Sequence, residues 1–329
     1  MAQTVFTLLA NNGFSVQDNP EPEEWIKPLV CARIRRLEYF ADHMDPLYYE
    51  NVVLERSEFM QATLDVLRKN EVKIVCVSTG RQFYLTNGLS HPFADARRGA
   101  LRYCERMTDL AVALGARFIA GHFDYISQTE VARAERKAER RLLENLLRLA
   151  EFCAARKIEG IYLEQMYTPS LKPYTLAEAK RMMRWLNERA AVPYYLQIDT
   201  GHMALALPEY EAHTDADKNP YHWLASRYPG VDKLWVHLNQ TDRTHTRHWP
   251  FTPKYNRRGI ISPQRVIQSI EKSGVREAYL SFETLYPRGT PLAQITEDMR
   301  GSARQFRKAF ASLGYTETAG QFEKREGRK

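Results

Sequence analysis

Four side chains stand where metal or acid–base chemistry could use them. Glu164 lies near the end of "GIYLEQM", Asp199 closes "PYYLQID", His237 sits near the end of "KLWVHLN" and Glu283 near the end of "AYLSFET". They are 35, 38 and 46 residues apart, about one strand–helix unit each. Three carboxylates and an imidazole aimed at one small volume would repel and resist desolvation unless a cation sat among them. An oxygen-rich set with one nitrogen suits a single divalent ion, Mn²⁺ foremost, with Mg²⁺, Co²⁺ or Zn²⁺ as alternatives; the lack of sulfur argues against a structural zinc site. Taken singly, each residue could instead be a buried polar group or a rim ion pair. Four at equivalent places favour the joint reading, because buried acids are rarely left without partners.

The elements that must position them read as βα units. Strand-like runs at 4–10, 34–41, 73–79, 116–123, 160–166, 193–199, 233–239 and 278–284 alternate with helical patterns. The second run is the weakest, since "RIRR" dilutes its apolar content. Helices are expected at 94–115, 129–157, 175–190, 262–274 and 295–314. Thr175 with Glu178 has capping-box spacing, and Ser262, Pro263 and Gly274 supply a cap, a first-turn proline and a stop. Eight such units predict an α/β fold, a (β/α)₈ TIM barrel formed as one domain over residues 1–315. The tail 316–329 is polar, without periodicity, and is expected to be disordered. A doubly wound open sheet is the alternative, weakened by the absence of GxGxxG and Walker loops.

Composition narrows the class. The chain has 329 residues, 44 % hydrophobic, enough for a sizeable core, and a net charge of +7 that would favour an anionic ligand. No apolar run reaches the ~20 residues of a membrane span, and the start lacks a cationic secretion signal, so a cytoplasmic protein is expected. Cys31, Cys76, Cys104 and Cys153 form no CxxC pair and read as reduced core thiols. A homo-oligomer, dimer or tetramer, is the default assembly.

The motifs "LEQMYTP", "DTGHM", "HLNQTD" and "FETLYP", in this order, resemble those of the xylose-isomerase-like barrels, which include ketose 3-epimerases, hydroxypyruvate isomerase and erythrulose-phosphate isomerases. The resemblance runs from the first strand to about residue 312 and is strongest in the second half. It implies that Glu164, Asp199, His237 and Glu283 bind one divalent metal, that His202 contacts substrate, and that Glu164 and Glu283 also transfer protons. The implied substrate is a small sugar or sugar phosphate, isomerised or epimerised through an enediolate that the metal stabilises. Which glutamate is the base stays open.

Further substrate-binding candidates lie at the other strand ends: Asn12 after the first strand, with Asn11 beside it, Arg81 after the third, His122 and Asp124 after the fourth, and Tyr167 after Glu164. The stretch 240–260 carries Arg243, Arg247, Lys254, Arg257 and Arg258 with His245 and His248, and barrels often bind phosphate after strands seven and eight. Arg243, six residues beyond His237, is the first choice for a phosphate contact; a solvated basic loop or a subunit interface is the plainer reading.

Three alternatives use the same frame. A lyase or dehydratase acting on a keto-sugar needs only a leaving group on the next carbon. The endonuclease that cuts DNA at abasic sites resembles this chain at Glu164, Asp199, His202, His237 and Glu283, with His122 as one more ligand. Against it, Arg81 stands where that pattern has a histidine, and "DRTH" (242–245) carries an extra residue, so nucleic acid is disfavoured as a partner. A non-catalytic metal-binding barrel is the third.

Overall fold

The computed structural model describes residues 3–16, 18–80, 83, 85–204 and 213–324. In chain order the main elements are β1 (Val5–Asn11), α1 (Pro22–Cys31), β2 (Arg36–Phe40), α2 (Glu58–Lys69), β3 (Lys73–Ser78), α3 (Ala94–Ala113) and β4 (Phe118–Gly121). They continue with α4 (Gln128–Ala155), β5 (Gly160–Glu164), α5 (Leu176–Asn187), β6 (Tyr194–Asp199), α6 (Pro220–Ala225), β7 (Lys233–Leu238), α7 (Pro253–Asn256) and α8 (Pro263–Ser273). The last are β8 (Glu277–Phe282), α9 (Leu292–Ser312), β9 (Tyr315–Thr318) and β10 (Gln321–Lys324).

All eight expected strands form, including the charge-diluted second. β1 pairs in parallel with β8 along six residues and with β2 at Ala10↔Leu37 and Asn11↔Glu38, so the sheet closes on itself. Closure removes the open doubly wound alternative. The local signals work as expected: Thr175 Oγ1 accepts from Glu178 N at 3.2 Å, Ser262 Oγ accepts from Arg265 N at 3.4 Å, and Gly274 ends α8 at φ +75°. The Glu178 carboxylate closes its half of the cap on Tyr174 N, at 2.9 Å.

Period two along each strand sorts side chains between barrel interior and helical shell. Inside, Leu9, Val75, Cys76, Phe118, Ala120, Tyr162, Tyr195, Trp235 and Tyr279 form a closed apolar cluster. Two residues beyond Tyr162, Tyr195, Trp235 and Tyr279 in sequence stand Glu164, Gln197, His237 and Ser281, and two further beyond Tyr195 and Tyr279 stand Asp199 and Glu283. An aromatic floor therefore underlies a polar layer that opens towards the C-terminal ends of the strands, where barrels place their chemistry.

Two expectations change. The segment 316–324, expected as disordered tail, forms the β9–β10 hairpin, and β10 adds antiparallel to β1 at Phe6↔Phe322 and Thr7↔Gln321. It fills the lower part of the seam that β2 leaves on β1. Phe322 is the cause: the one large apolar residue in this polar segment, buried and stacked on Phe310 at 4.0 Å with its ring 13° off parallel. Cys76, Cys104 and Cys153 are buried as expected, but Cys31 is exposed, because it ends α1 on the solvent side. Among the described residues no helix is long and apolar enough to cross a membrane.

Replacing Phe322 by Ala should cost about 3–5 kcal/mol of stability, the usual range for a buried phenylalanine. Urea unfolding checks this, and divalent-ion affinity should stay unchanged, since the hairpin lies on the lower half of β1, away from the polar layer.

Candidate metal centre

Glu164, Asp199, His237 and Glu283 come from the adjacent strands β5, β6, β7 and β8, and one ligand atom from each lies within 4.8 Å of the others. The parallel register does this: Asp199 is level with His237, Leu238 is level with Phe282, and Glu283 follows directly. All four are buried. His237 Nδ1 faces Glu283 Oε2 at 3.1 Å, Glu164 Oε1 at 3.2 Å and Asp199 Oδ2 at 3.9 Å.

Neighbours hold these groups in place. Asp199 Oδ1 accepts from the backbone N–H of Gly201 at 2.5 Å and of His202 at 3.1 Å, while Asn239 Nδ2 donates to Asp199 Oδ2 at 2.8 Å. Gly201 is needed for close approach: a Cβ there would lie 2.4 Å from Asn239 Oδ1. Asn11 Nδ2 donates to Glu283 Oε1 at 3.2 Å. Below the cage, Glu38 on β2 is fully buried and contacts the other nitrogen, His237 Nε2, at 3.0 and 3.1 Å.

His248 enters from the loop after β7. Gln240 and Trp249 exchange backbone hydrogen bonds of 2.7 and 3.0 Å, which pinch the loop at its base. His248, at φ +48°, then places Nδ1 3.3 Å from Glu283 Oε2, and Asp199, His202 and His248 form a second set of ligand-type groups.

Electrostatics follow from burial. Desolvation alone would depress His237, but the Glu283 and Glu38 carboxylates outweigh it and hold the imidazole well above its ordinary value. Desolvation likewise opposes protonation of His248, and Glu283 overrides it, pushing the group up to about 9. Glu283 is held well below the carboxylate range by His237 and His248 against its own burial. Even with both imidazoles protonated, four buried carboxyl groups (Glu38, Glu164, Asp199, Glu283) outnumber them. That surplus, together with the oxygen-rich donor set, fits a divalent cation.

The remaining candidates fall in different places. His202 is buried beside the cage; its Nδ1–H donates to the Gln165 carbonyl at 3.0 Å, and Tyr167 packs on its ring at 5.1 Å. His122, at the end of β4 next to β5, is driven down to about 3 by burial and is neutral. Asn12 anchors the loop below it: its Oδ1 accepts from Phe40 N at 2.8 Å and its carbonyl from Ser15 Oγ at 2.7 Å. Asp124 accepts from Gly88 N and Ser90 N, holding another rim loop. Arg243 is exposed on the loop after β7, whereas Arg247 and Arg258 are drawn to Asp242 and lie over Trp249. Arg81 lies outside the described residues.

Sequence reasoning missed Glu38 and the role of His248. An acid between Leu37 and Tyr39, inside a barrel strand, is a signal for the first; the second depends on the loop's pinch and has no signature in spacing.

A model of the xylose isomerase-like TIM barrel family matches residues 35–308. The D-erythrulose 1-phosphate 3-epimerase of Brucella abortus (strain 2308) is 22 % identical over 291 residues, spanning 87 % of this chain and 90 % of its own. Among solved structures, a candidate xylose isomerase from Rhodospirillum rubrum superposes with a TM-score of 0.78 at 22 % identity, over 92 % of this chain and 99 % of that one. The D-psicose 3-epimerase of Clostridium cellulolyticum H10 gives 0.60 at 14 % identity, over 93 % and 97 %.

Because the Glu283 and Glu38 carboxylates raise His237 well above its ordinary value, a cation taking Nδ1 competes with a proton, and apparent affinity for Mn²⁺ should rise with pH, by up to about tenfold per unit, until the imidazole has lost that proton. Calorimetry in buffers of different ionisation enthalpy should record proton release; a flat profile without release would contradict this protonation state.

Proposed function

The chain belongs to the xylose isomerase-like TIM barrel family, and on that footing we propose that it is a divalent-metal-dependent isomerase or epimerase of a small sugar or sugar phosphate. The observation that carries the proposal is the buried cage itself: competent ligands on four consecutive strands, above a sealed floor and below an open rim. Glu164, Asp199, His237 and Glu283 would hold the ion, Mn²⁺ by preference. When bound, it would polarise the carbonyl and adjacent hydroxyl oxygens of the substrate.

The chain's own residues would do the rest. Glu164 and Glu283 both border His237 Nδ1, and either carboxylate can take the proton from the carbon beside the carbonyl while the other delivers one. Delivery to the opposite face gives an epimer, and delivery to the neighbouring carbon gives an aldose–ketose isomer. His202 would hydrogen-bond a substrate hydroxyl, and Tyr167 would wall the carbon skeleton. The basic loop after β7 supports a phosphorylated substrate, as does similarity to an enzyme named for D-erythrulose 1-phosphate. Arg243 is exposed there, as are Arg257 and Arg258; Arg247 and Arg258 are bound to Asp242, whose carboxyl is kept below its usual range, against burial, by Thr244 and Arg247. A cytoplasmic homo-oligomer completes the reading.

A second reading draws on the neighbouring set Asp199, His202 and His248, which would give a multi-metal site of the nuclease kind. Metal content separates the two. One ion per chain is expected, and two or three would favour the nuclease.

The metal-loaded protein in deuterated water should exchange a carbon-bound proton of one member of a panel of tetrulose, pentulose and hexulose phosphates and their free sugars. Glu164→Gln and Glu283→Gln should each lower exchange by about 10²–10⁴-fold, the usual worth of a general acid or base. Undiminished exchange in either variant would remove that carboxylate from proton transfer.

A further inference from the structure

The two nitrogens of His237 face different surroundings. Nδ1 points at the three cage carboxyl groups, and Nε2 points at both oxygens of Glu38, at 3.0 and 3.1 Å, with Gln197 Nε2 also 2.5 Å away. Glu38 comes from β2 and lies deeper in the barrel, beside the aromatic floor. We propose that Glu38 is the positioning residue that decides which nitrogen of His237 faces the metal, and that it thereby sets the affinity of the cage; the proposal rests on the metal-centre reading above.

The argument begins with donors and acceptors. Two groups compete for Nε2: the Glu38 oxygens, which only accept and place the proton of a neutral imidazole on Nε2 with the lone pair on Nδ1 towards the cage, and the Gln197 amide, which also donates to Glu38 Oε1. The charged carboxylate, with two oxygens in reach, is the stronger partner and sets the tautomer. Glu38 is itself fixed by donors from four other strands. Ser78 Oγ donates from β3, Gln197 Nε2 from β6 at 3.2 Å, Trp235 Nε1 from β7 at 3.0 Å and Ser281 Oγ from β8 at 2.6 Å. With His237 these use the acceptor capacity of both oxygens, so the carboxylate has one orientation, and the imidazole plane follows from it. The neighbouring strand is shaped for this as well: between Leu37↔Ile74 and Glu38↔Cys76, two steps along β3 match one along β2, so β3 carries an extra residue below Ser78. Bulges of this kind re-aim a side chain. A histidine ligand whose second nitrogen donates to a carboxylate is a stronger and better oriented ligand, and loss of such a partner typically weakens metal binding by about 10–100-fold.

The test uses Mn²⁺ alone, titrated calorimetrically or against a chelator into the full chain. Glu38→Gln keeps shape and volume but makes one oxygen a donor, and should weaken Mn²⁺ binding by about 10–100-fold in protein that still folds. A purely structural role would lower the melting temperature and leave the affinity of the folded protein within about twofold, which would overturn the proposal. The wild-type chain gives an independent measurement if the variant does not fold. With ¹⁵N-labelled histidine and ¹¹³Cd²⁺, metal–nitrogen coupling is expected at Nδ1 of His237, with a proton retained on Nε2; coupling at Nε2 would overturn it equally. Wild-type protein that binds no divalent cation would overturn the metal-centre reading and this inference together, whereas equal affinities in wild type and variant would overturn only the inference.

Discussion

Concentrated negative charge under burial is the constraint on which this molecule turns. Four carboxyl groups, Glu38, Glu164, Asp199 and Glu283, share a water-poor volume with His237 and its neighbour His248. Such a cluster survives in a folded protein only when donors and cations are supplied from every side. A closed barrel does this well, because each strand contributes an inward side chain at a fixed level. Asn11, Ser78, Gln197, Trp235, Asn239 and Ser281 all aim donors at one of these acids. The sheet is thus as much a device for solvating acids as a scaffold.

The interior is accordingly stratified. Phe118, Tyr162, Tyr195, Trp235 and Tyr279 close the lower part with edge-on and stacked rings, and Trp235 joins the layers by donating its indole N–H upward to Glu38. An apolar floor keeps water from entering beneath the acids, which strengthens every interaction above it. At the upper side, towards the C-terminal ends of the strands, stand His202, Tyr167, His248 and the basic loop after β7. The ligand-type side chains therefore gather at one end of the barrel, and the β9–β10 hairpin occupies the lower half of the seam on β1.

Much of this could be read before any coordinates. Strand position followed from alternation, and the cage followed from asking what stands at the end of each strand, since parallel register brings equivalent positions level. Glu164, Asp199, His237 and Glu283 needed no further information. Glu38 escaped because the question was put only to strand ends, while its strand was discounted for "RIRR" (33–36 apart from Ile34), most of which precedes β2 or lies at its lower edge. His248 escaped because its place depends on a backbone pinch between Gln240 and Trp249, a tertiary event with no periodicity. The hairpin escaped because one buried phenylalanine among polar residues is below the threshold of any pattern.

That pinch has a consequence of its own. By tying residues 240 and 249 together, the fold settles the loop's conformational entropy when the chain folds, before any ligand arrives. A ligand of the kind proposed would then meet His248 already in place, and its affinity would not be discounted by the ordering of this loop. For the function proposed above, this part of the rim would select by a shape set before binding.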